Sequence, residues 1–240
     1  MLVAAAVCPH PPLLIPQAMG AGGETRDGVI GEVLAACDAA VAALAAARPE
    51  LTVVVGAADK GAPAAAAYDG SAAGSLAGYG VRFSTGPGDP VLPLSVTVGS
   101  WLVRRSAAPP ERLLLRAVAR NTPVAQCLRL GAEIARQAPR VAVLAMGDGP
   151  GRRAAGAERA ADPAADAYDA GLSAALAEAD PARLARLAPS LDDELLVAGR
   201  AAWQVLAGAA DGQRLRGHLR CAVTQYEVSY LVASWEAAGG

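Results

Sequence analysis

Histidine, lysine and aromatic residues are scarce in this 240-residue chain, which carries two His, one Lys, one Phe, three Trp and five Tyr. With so few aromatics, a core has to come from small-residue helices packed closely on a Val- and Leu-rich sheet. A net charge of one sign is lacking too. The formal charge of −2 and the pI near 5.7 give no global field that would draw in nucleic acid or an anionic membrane, so neither is expected as a partner. Lys60 is the sole lysine, and the Arg and Ala excess reads as genomic base composition rather than a binding signal. The four cysteines, Cys8, Cys37, Cys127 and Cys221, show no C-x-x-C spacing, which argues against a zinc knuckle or a disulfide scaffold and fits a reducing cytoplasm. No uninterrupted apolar run approaches eighteen residues. Residues 1–16 are apolar but lack a charged n-region and contain prolines and a His, so they read as mature fold rather than signal peptide. Nucleotide motifs are missing as well. The Gly-rich turn at 147–151 has no Gly-Lys-Ser/Thr after it and does not form G-x-G-x-x-G ahead of a helix.

What is present suits one α/β domain with a mostly parallel central sheet flanked by helices, long enough to bury roughly three quarters of its unfolded surface. Residues 2–7 read as a buried central strand, closed by Cys8-Pro9-His10-Pro11-Pro12 because proline cannot donate to a ladder. A Gly-rich stretch, a helix over 29–47 and a β-branched strand over 51–56 come next, a βαβ pattern that implies a parallel pair. Its carboxyl-end loop holds Asp59 and Lys60. Residues 61–78 read as a surface loop or lid and 79–83 as a short strand. The 92–103 stretch reads as a helix anchored by Trp101, with a strand as the alternative. Further on, 113–119 and 140–146 read as strands, 123–137 as a helix, 152–165 as a polar linker, and 166–179 and 181–187 as helices. One helix is expected over 191–210 and one strand over 222–235 to finish the sheet, with 228–235 as a candidate dimer edge.

Strand ends at the carboxyl edge of an open α/β sheet are where ligands bind. His10, Asp59 and Asp148 all fall there, and Asp192, Asp193 and Glu194 open a helix, where acids favour the macrodipole. A His with carboxylates is a metal-site pattern, although a facial triad for non-haem iron uses two His. Each residue also has a plainer role. His10 can cap a proline turn, Asp148 in Gly-Asp-Gly can satisfy backbone N–H groups, and His218 sits among charged residues as a surface group. Trp101, Trp203 and Trp235 read as core anchors. Cys8 with His10 is a nucleophile pair only if the proline turn bends sharply.

The chain resembles the class III extradiol ring-cleavage dioxygenases, the superfamily of the protocatechuate-dioxygenase catalytic (B-type) subunits, from residue 1 to about 235. Carriers of the resemblance are Ala5-Ala-Val-Cys-Pro-His-Pro-Pro-Leu-Leu-Ile-Pro16, Val53-Val-Val-Gly-Ala-Ala-Asp59 and Val143-Leu-Ala-Met-Gly-Asp-Gly149. Asp166-Ala-Tyr-Asp169, Glu194 ahead of Trp203, Gly74-Ser-Leu-Ala-Gly-Tyr-Gly-Val81 and Leu92-Pro-Leu-Ser support it. The resemblance implies the catalytic-subunit fold, an iron ligand at His10, a second ligand where Asp59 stands instead of His, and a carboxylate ligand at Glu194, with Asp193 or Asp192 as alternatives. It also implies an acid–base His where Gly151 stands.

The metal set is then His10, Asp59 and Glu194. The catalytic set is His10, Asp148 and Lys60, with Lys60 or Arg152 as a substitute proton donor or anion clamp. A cage with one imidazole favours Mg²⁺, Mn²⁺ or Ca²⁺ over Fe(II), with Zn²⁺ and an empty site also open. The implied protein is a cytoplasmic, small-molecule-binding or interaction protein with a degenerate iron site. The alternative is an active metal-dependent dioxygenase acting on an aromatic substrate. Homo-oligomers are common in such a family.

Overall fold

The structure, a computed structural model, describes residues 1–20, 28–58, 65–151 and 163–238, apart from the side chain of Asp193. In chain order the elements are β1 (Leu2–Cys8), α1 (Val29–Ala46), β2 (Leu51–Ala57), β3 (Ala65–Asp69), β4 (Ala73–Ser75), β5 (Ser84–Thr85), β6 (Pro90–Leu92) and α2 (Leu94–Arg104). Then come β7 (Leu113–Val118), α3 (Val124–Ala135), β8 (Val141–Met146), α4 (Pro163–Ala177), α5 (Pro181–Ala185), α6 (Leu191–Glu194), α7 (Arg200–Ala210), β9 (Leu215–Gln225) and β10 (Val228–Ala237).

Seven strands form the main sheet in the order β3-β7-β2-β8-β1-β10-β9, and β5-β4-β6 form a small second sheet. The four inner strands β7, β2, β8 and β1 run parallel, while β3, β10 and β9 are antiparallel to their neighbours. The main sheet is therefore mixed rather than mostly parallel. Parallel pairing needs a long crossover, and a two-residue connection such as the one joining β9 to β10 permits only antiparallel pairing. Strands β1 and β2 are not neighbours either, because β8 lies between them and pairs with both.

Both faces of β1, β2 and β8 are covered, which explains their nearly continuous apolar runs, while β7 is half-buried and carries Arg116. Ala5 and Val7 pack on one side with residues of α3, α4, α5 and α7, whereas Ala4, Ala6 and Cys8 face α1 and α2 on the other. Helix α1 is long and apolar enough to cross a bilayer by length and composition alone, but eight of its residues are buried.

Several expected elements are corrected. Within the expected loop of residues 61–78, the described part supplies β3 and β4, and the expected strand at 79–83 is a turn of 3-10 helix over Ala77–Tyr79 followed by irregular chain. The 92–103 stretch is helical, but Trp101 is only half-buried, with the Arg105 guanidinium 4.8 Å from its ring centroid. The expected helix over 191–210 breaks into α6 and α7. Leu196 adopts φ 53 between them, and the Val197 N–H reaches back to the Asp192 carbonyl at 2.9 Å. The expected strand over 222–235 is a hairpin, turned at Tyr226 and Glu227 with φ 51 and 61.

That hairpin also removes 228–235 as a dimer edge, because β10 is paired on both sides. The edge on this side of the sheet belongs to β9, where exposed Arg216 and Arg220 discourage pairing with another strand, and β3 forms the opposite edge. Two positive φ values suit a type I′ turn, which favours Asn or Gly. Replacing the exposed Tyr226 by Asn is expected to stabilise the fold by about 0.5–1 kcal/mol, read as a higher urea midpoint with unchanged slope. An unchanged or lower midpoint would show that the turn carries no conformational cost.

Candidate functional site

The prolines that end β1 also shape the turn beyond it. The β1–β8 ladder closes at Cys8 opposite Met146, and the Gly147 N–H donates to the Cys8 carbonyl at 2.9 Å. One residue on, the chain has left the sheet, and the His10 N–H donates to Asp148 Oδ1 at 2.8 Å. Asp148 thus takes the backbone N–H role open to it from the sequence. The same oxygen stands 3.5 Å from His10 Nδ1, a buried nitrogen with no hydrogen-bond partner among the described residues. Both residues are well enclosed, with His10 only 7% exposed.

Asp148 itself is clamped. Its carbonyl accepts from Ala198 N at 3.1 Å, and the next residue, Gly149, donates to the Ser229 carbonyl at 2.9 Å. The Ser229 N–H returns a bond to the Pro150 carbonyl at 3.0 Å, and the Gly151 N–H donates to the Leu195 carbonyl at 2.8 Å. The loop after β8 is therefore pinned to the start of β10 and to the break between α6 and α7. Beneath it lies Trp203. A Cβ on Gly147 would run into the Gly199 Cα and meet the Trp203 ring at 2.9 Å, so the close packing requires both glycines. A recess of about 290 Å³, lined by Asp166, Asp169, Ser173 and Thr224 among others, shares Ser229 with this loop. Within it the Ser229 hydroxyl donates to Asp169 Oδ2 at 2.5 Å.

The other sequence candidates are scattered. Asp59, Lys60 and Arg152 lie outside the described residues. Glu194 is exposed at the end of α6. Asp192 is buried and committed elsewhere: its Oδ2 lies 2.5 Å from Arg200 Nε in an ion pair with only 1% and 9% side-chain exposure. No group of three His, Cys, Asp or Glu among the described residues could hold a metal ion, so a cage would need a residue outside them, Asp59 in the set expected from the sequence.

A side chain at Gly151 would press its Cβ to 3.1 Å from that of Leu196. Cys8 is fully buried, as a core residue rather than an accessible nucleophile, and it interacts with Cys37, whose own thiol is pushed up by burial first and then by Cys8. His218 is exposed on β9. Trp203 and Trp235 are core residues, and Trp235 Nε1 donates to the Leu176 carbonyl at 2.8 Å.

Sequence reasoning missed Arg200 and Tyr230. Arg200 donates to Gln204 Oε1 at 2.6 Å and to the carbonyls of Arg120 and Thr122, joining α7 to the loop after β7. An Arg eight residues after an acidic cluster was the available signal, but the expected continuous helix concealed it. Tyr230 is buried at the start of β10, its hydroxyl pushed up to about 12 by burial first and then by Asp148 and Tyr226. Tyr168 is also raised, by burial first and then by Asp192. Raised phenols stabilise the fold while neutral. That stability is complete below the ordinary value of 10.0, and Tyr230's share is lost as pH climbs from there through about 12. Tyr230→Phe should therefore lose less stability over that window than the native chain in chemical denaturation. An equal loss in both would mean that Tyr230 is not the group titrating.

No protein-family model matches the chain, and no curated protein does. Among solved structures it is similar to the "uncharacterized protein JW3007 from Escherichia coli K12", at TM-score 0.57 and 16% identity, over 98% of this chain and 100% of that one. The likeness is one of fold. It runs the whole length of both chains and so supports a single α/β domain with helices on both faces of a mixed sheet.

Proposed function

We propose that this protein is a class III extradiol dioxygenase-like domain that binds a small aromatic molecule near His10 without cleaving its ring. The observation that carries the reading is Gly151. It stands where the resemblance calls for the acid–base His, at the end of a loop that keeps its strand-end position and its Gly-Asp turn. Ring cleavage needs a group to ionise the catechol and later to return a proton, assistance worth about 10²–10⁴-fold from a positioned His. Glycine supplies neither, and Leu196 crowds the space a side chain would take. His10 remains as a hydrogen-bonding group beside the Asp148 carboxylate, a polar pair at the sheet edge where α/β folds bind ligands.

The test is isothermal titration with catechol and protocatechuate, together with oxygen uptake after reconstitution with Fe(II) and Mn²⁺. Binding that His10→Ala abolishes, with no catechol-dependent oxygen uptake, is the expected result. Oxygen uptake coupled to ring-opened product would sink the reading.

A second reading keeps a metal, held by His10, Asp59 and Glu194, with an active metal-dependent dioxygenase as the outcome. It is favoured by the placing of the His10 imidazole beside the Asp148 carboxylate, where Asp148 can orient a ligating ring. The described donors alone do not fit a cage, so this reading stands on Asp59. It requires elemental analysis to find near-stoichiometric metal that is lost in each of His10→Ala, Asp59→Ala and Glu194→Ala. Retention of metal in His10→Ala would remove it.

A further inference from the structure

The structure assigns Asp148 a task beyond holding a turn: we infer that it is a positioning residue that fixes which nitrogen of His10 carries the proton. The inference rests on reading His10 as the ligand-facing group of this site.

Two contacts converge on one oxygen. Asp148 Oδ1 accepts the His10 backbone N–H at 2.8 Å and lies 3.5 Å from Nδ1 of the same residue. Nδ1 is buried, and no hydrogen-bond partner competes for it among the described residues. The carboxylate is held at one oxygen by the His10 N–H and at its root by the backbone. Its backbone is tied through its own carbonyl to Ala198 and through Gly147 and Gly149 to Cys8 and Ser229.

A neutral imidazole presents a proton on one nitrogen and a lone pair on the other, and the partner of one decides the state of both. With the proton on Nδ1, an N–H faces the carboxylate. In the other tautomer two lone pairs face each other in a largely buried site, with the two side chains 10% and 17% exposed, where electrostatic differences are larger than in water. The Nδ1–H form is therefore selected, and Nε2 offers a lone pair. His10 then acts toward its ligand as an acceptor for a hydroxyl or N–H, or as a donor atom for a cation, rather than as a hydrogen-bond donor. At 3.5 Å the Nδ1 contact is longer than a formed hydrogen bond, as orienting bonds commonly are before a ligand binds, and a ligand at Nε2 would tighten it.

The chain has only two histidines, so His218→Gln leaves His10 as the single imidazole, and His218 is exposed and remote from the loop after β8. Two-bond proton–nitrogen correlation spectra on nitrogen-15-labelled protein, recorded at a pH where the nitrogen shifts themselves show a neutral ring, report the tautomer directly. The expected result is Nδ1–H as the dominant form in the His218→Gln background. Adding Asp148→Ala should shift the population toward Nε2–H, the form favoured in water, while Asp148→Asn, which keeps an acceptor oxygen, restores most of the Nδ1–H form.

A dominant Nε2–H form with Asp148 intact overturns the inference, and so does a tautomer ratio unmoved by Asp148→Ala in a folded chain. Should Asp148→Ala fail to fold, the tautomer in the Asp148-intact protein still decides. The two readings fail separately. Absence of catechol binding with Nδ1–H in place removes the functional reading alone, whereas catechol binding with Nε2–H in place removes this one alone.

Discussion

Asp192→Ala is expected to destabilise the fold by about 3–5 kcal/mol, the cost of leaving a buried guanidinium without its counter-ion. Arg200 is 1% exposed, and besides Asp192 it serves Gln204, Arg120 and Thr122, so the carboxylate sits at the centre of a network that joins α6, α7 and the loop after β7. Gln204 extends the network by donating to the Leu187 carbonyl at 2.9 Å. Removing Asp192 strands a charge that water cannot reach. Replacing both partners together, as Asp192→Leu with Arg200→Met, should recover a large part of the loss, because apolar pairs of similar volume often substitute for buried ion pairs at little cost. Glu194→Ala, on an exposed side chain two residues away, should stay within about 0.5 kcal/mol of the native value. Urea unfolding with a constant slope measures all three.

The result also bears on function. A carboxylate gathered with others to await a cation is under mutual repulsion, and its removal commonly stabilises the empty protein. Asp192→Ala that raises the midpoint would return Asp192 to the metal candidates and sink the structural assignment. A midpoint that falls as expected leaves Glu194 and Asp193 as the remaining carboxylates of that cluster.

How much of this was legible in the sequence divides along physical lines. Strands β1, β2 and β8 were readable because burial on both faces imposes a nearly continuous apolar run, while β7, half-buried and interrupted by Arg116, was readable from its three leucines. Turn geometry was less readable. The β9–β10 hairpin turns through Tyr226 and Glu227, neither of which signals positive φ, so the chain read as one strand. The α6–α7 break turns at Leu196, again without a glycine at that position, and alanine-rich flanks of high helix propensity hid it. Sheet order was not readable either, since pairing of β8 between β1 and β2 depends on contacts far apart in the chain.

The candidate site was legible in part. Placing His10 and Asp148 at one carboxyl edge of the sheet came from apolar runs closed by prolines and glycines, and the His10 N–H does meet Asp148. Asp192 was an alternative to Glu194, and only the fold reveals that it is the carboxylate that turns inward to Arg200. Composition carried the core correctly. An alanine-rich chain allows the close approach seen between α3 and α7, where a Cβ on Gly131 would collide with the Val205 carbonyl.

Trp203 joins stability to the site, and its substitutions separate the two. The indole is fully buried, and its six-membered ring lies against Gly147 and Gly199, directly under the loop that presents Asp148 to His10. Trp203→Ala removes the largest side chain from this packing and is expected to cost about 3–5 kcal/mol. Trp203→Phe should cost only about 1–2 kcal/mol. Indole Nε1 is buried without a hydrogen-bond partner among the described residues, so exchanging it for a carbon sheds a desolvated donor and offsets part of the lost contact area.

For the site, the variants should diverge more sharply than for the fold. A phenyl ring still supports Gly147, and catechol affinity should hold within a few-fold. An empty space there lets the loop settle, draws Asp148 away from the His10 N–H, and should abolish measurable binding even below the unfolding midpoint. Equal affinity in folded Trp203→Ala and native protein would show that the loop holds its shape through its backbone bonds to Cys8, Ser229 and Ala198 alone, and that Trp203 serves the core without serving the site.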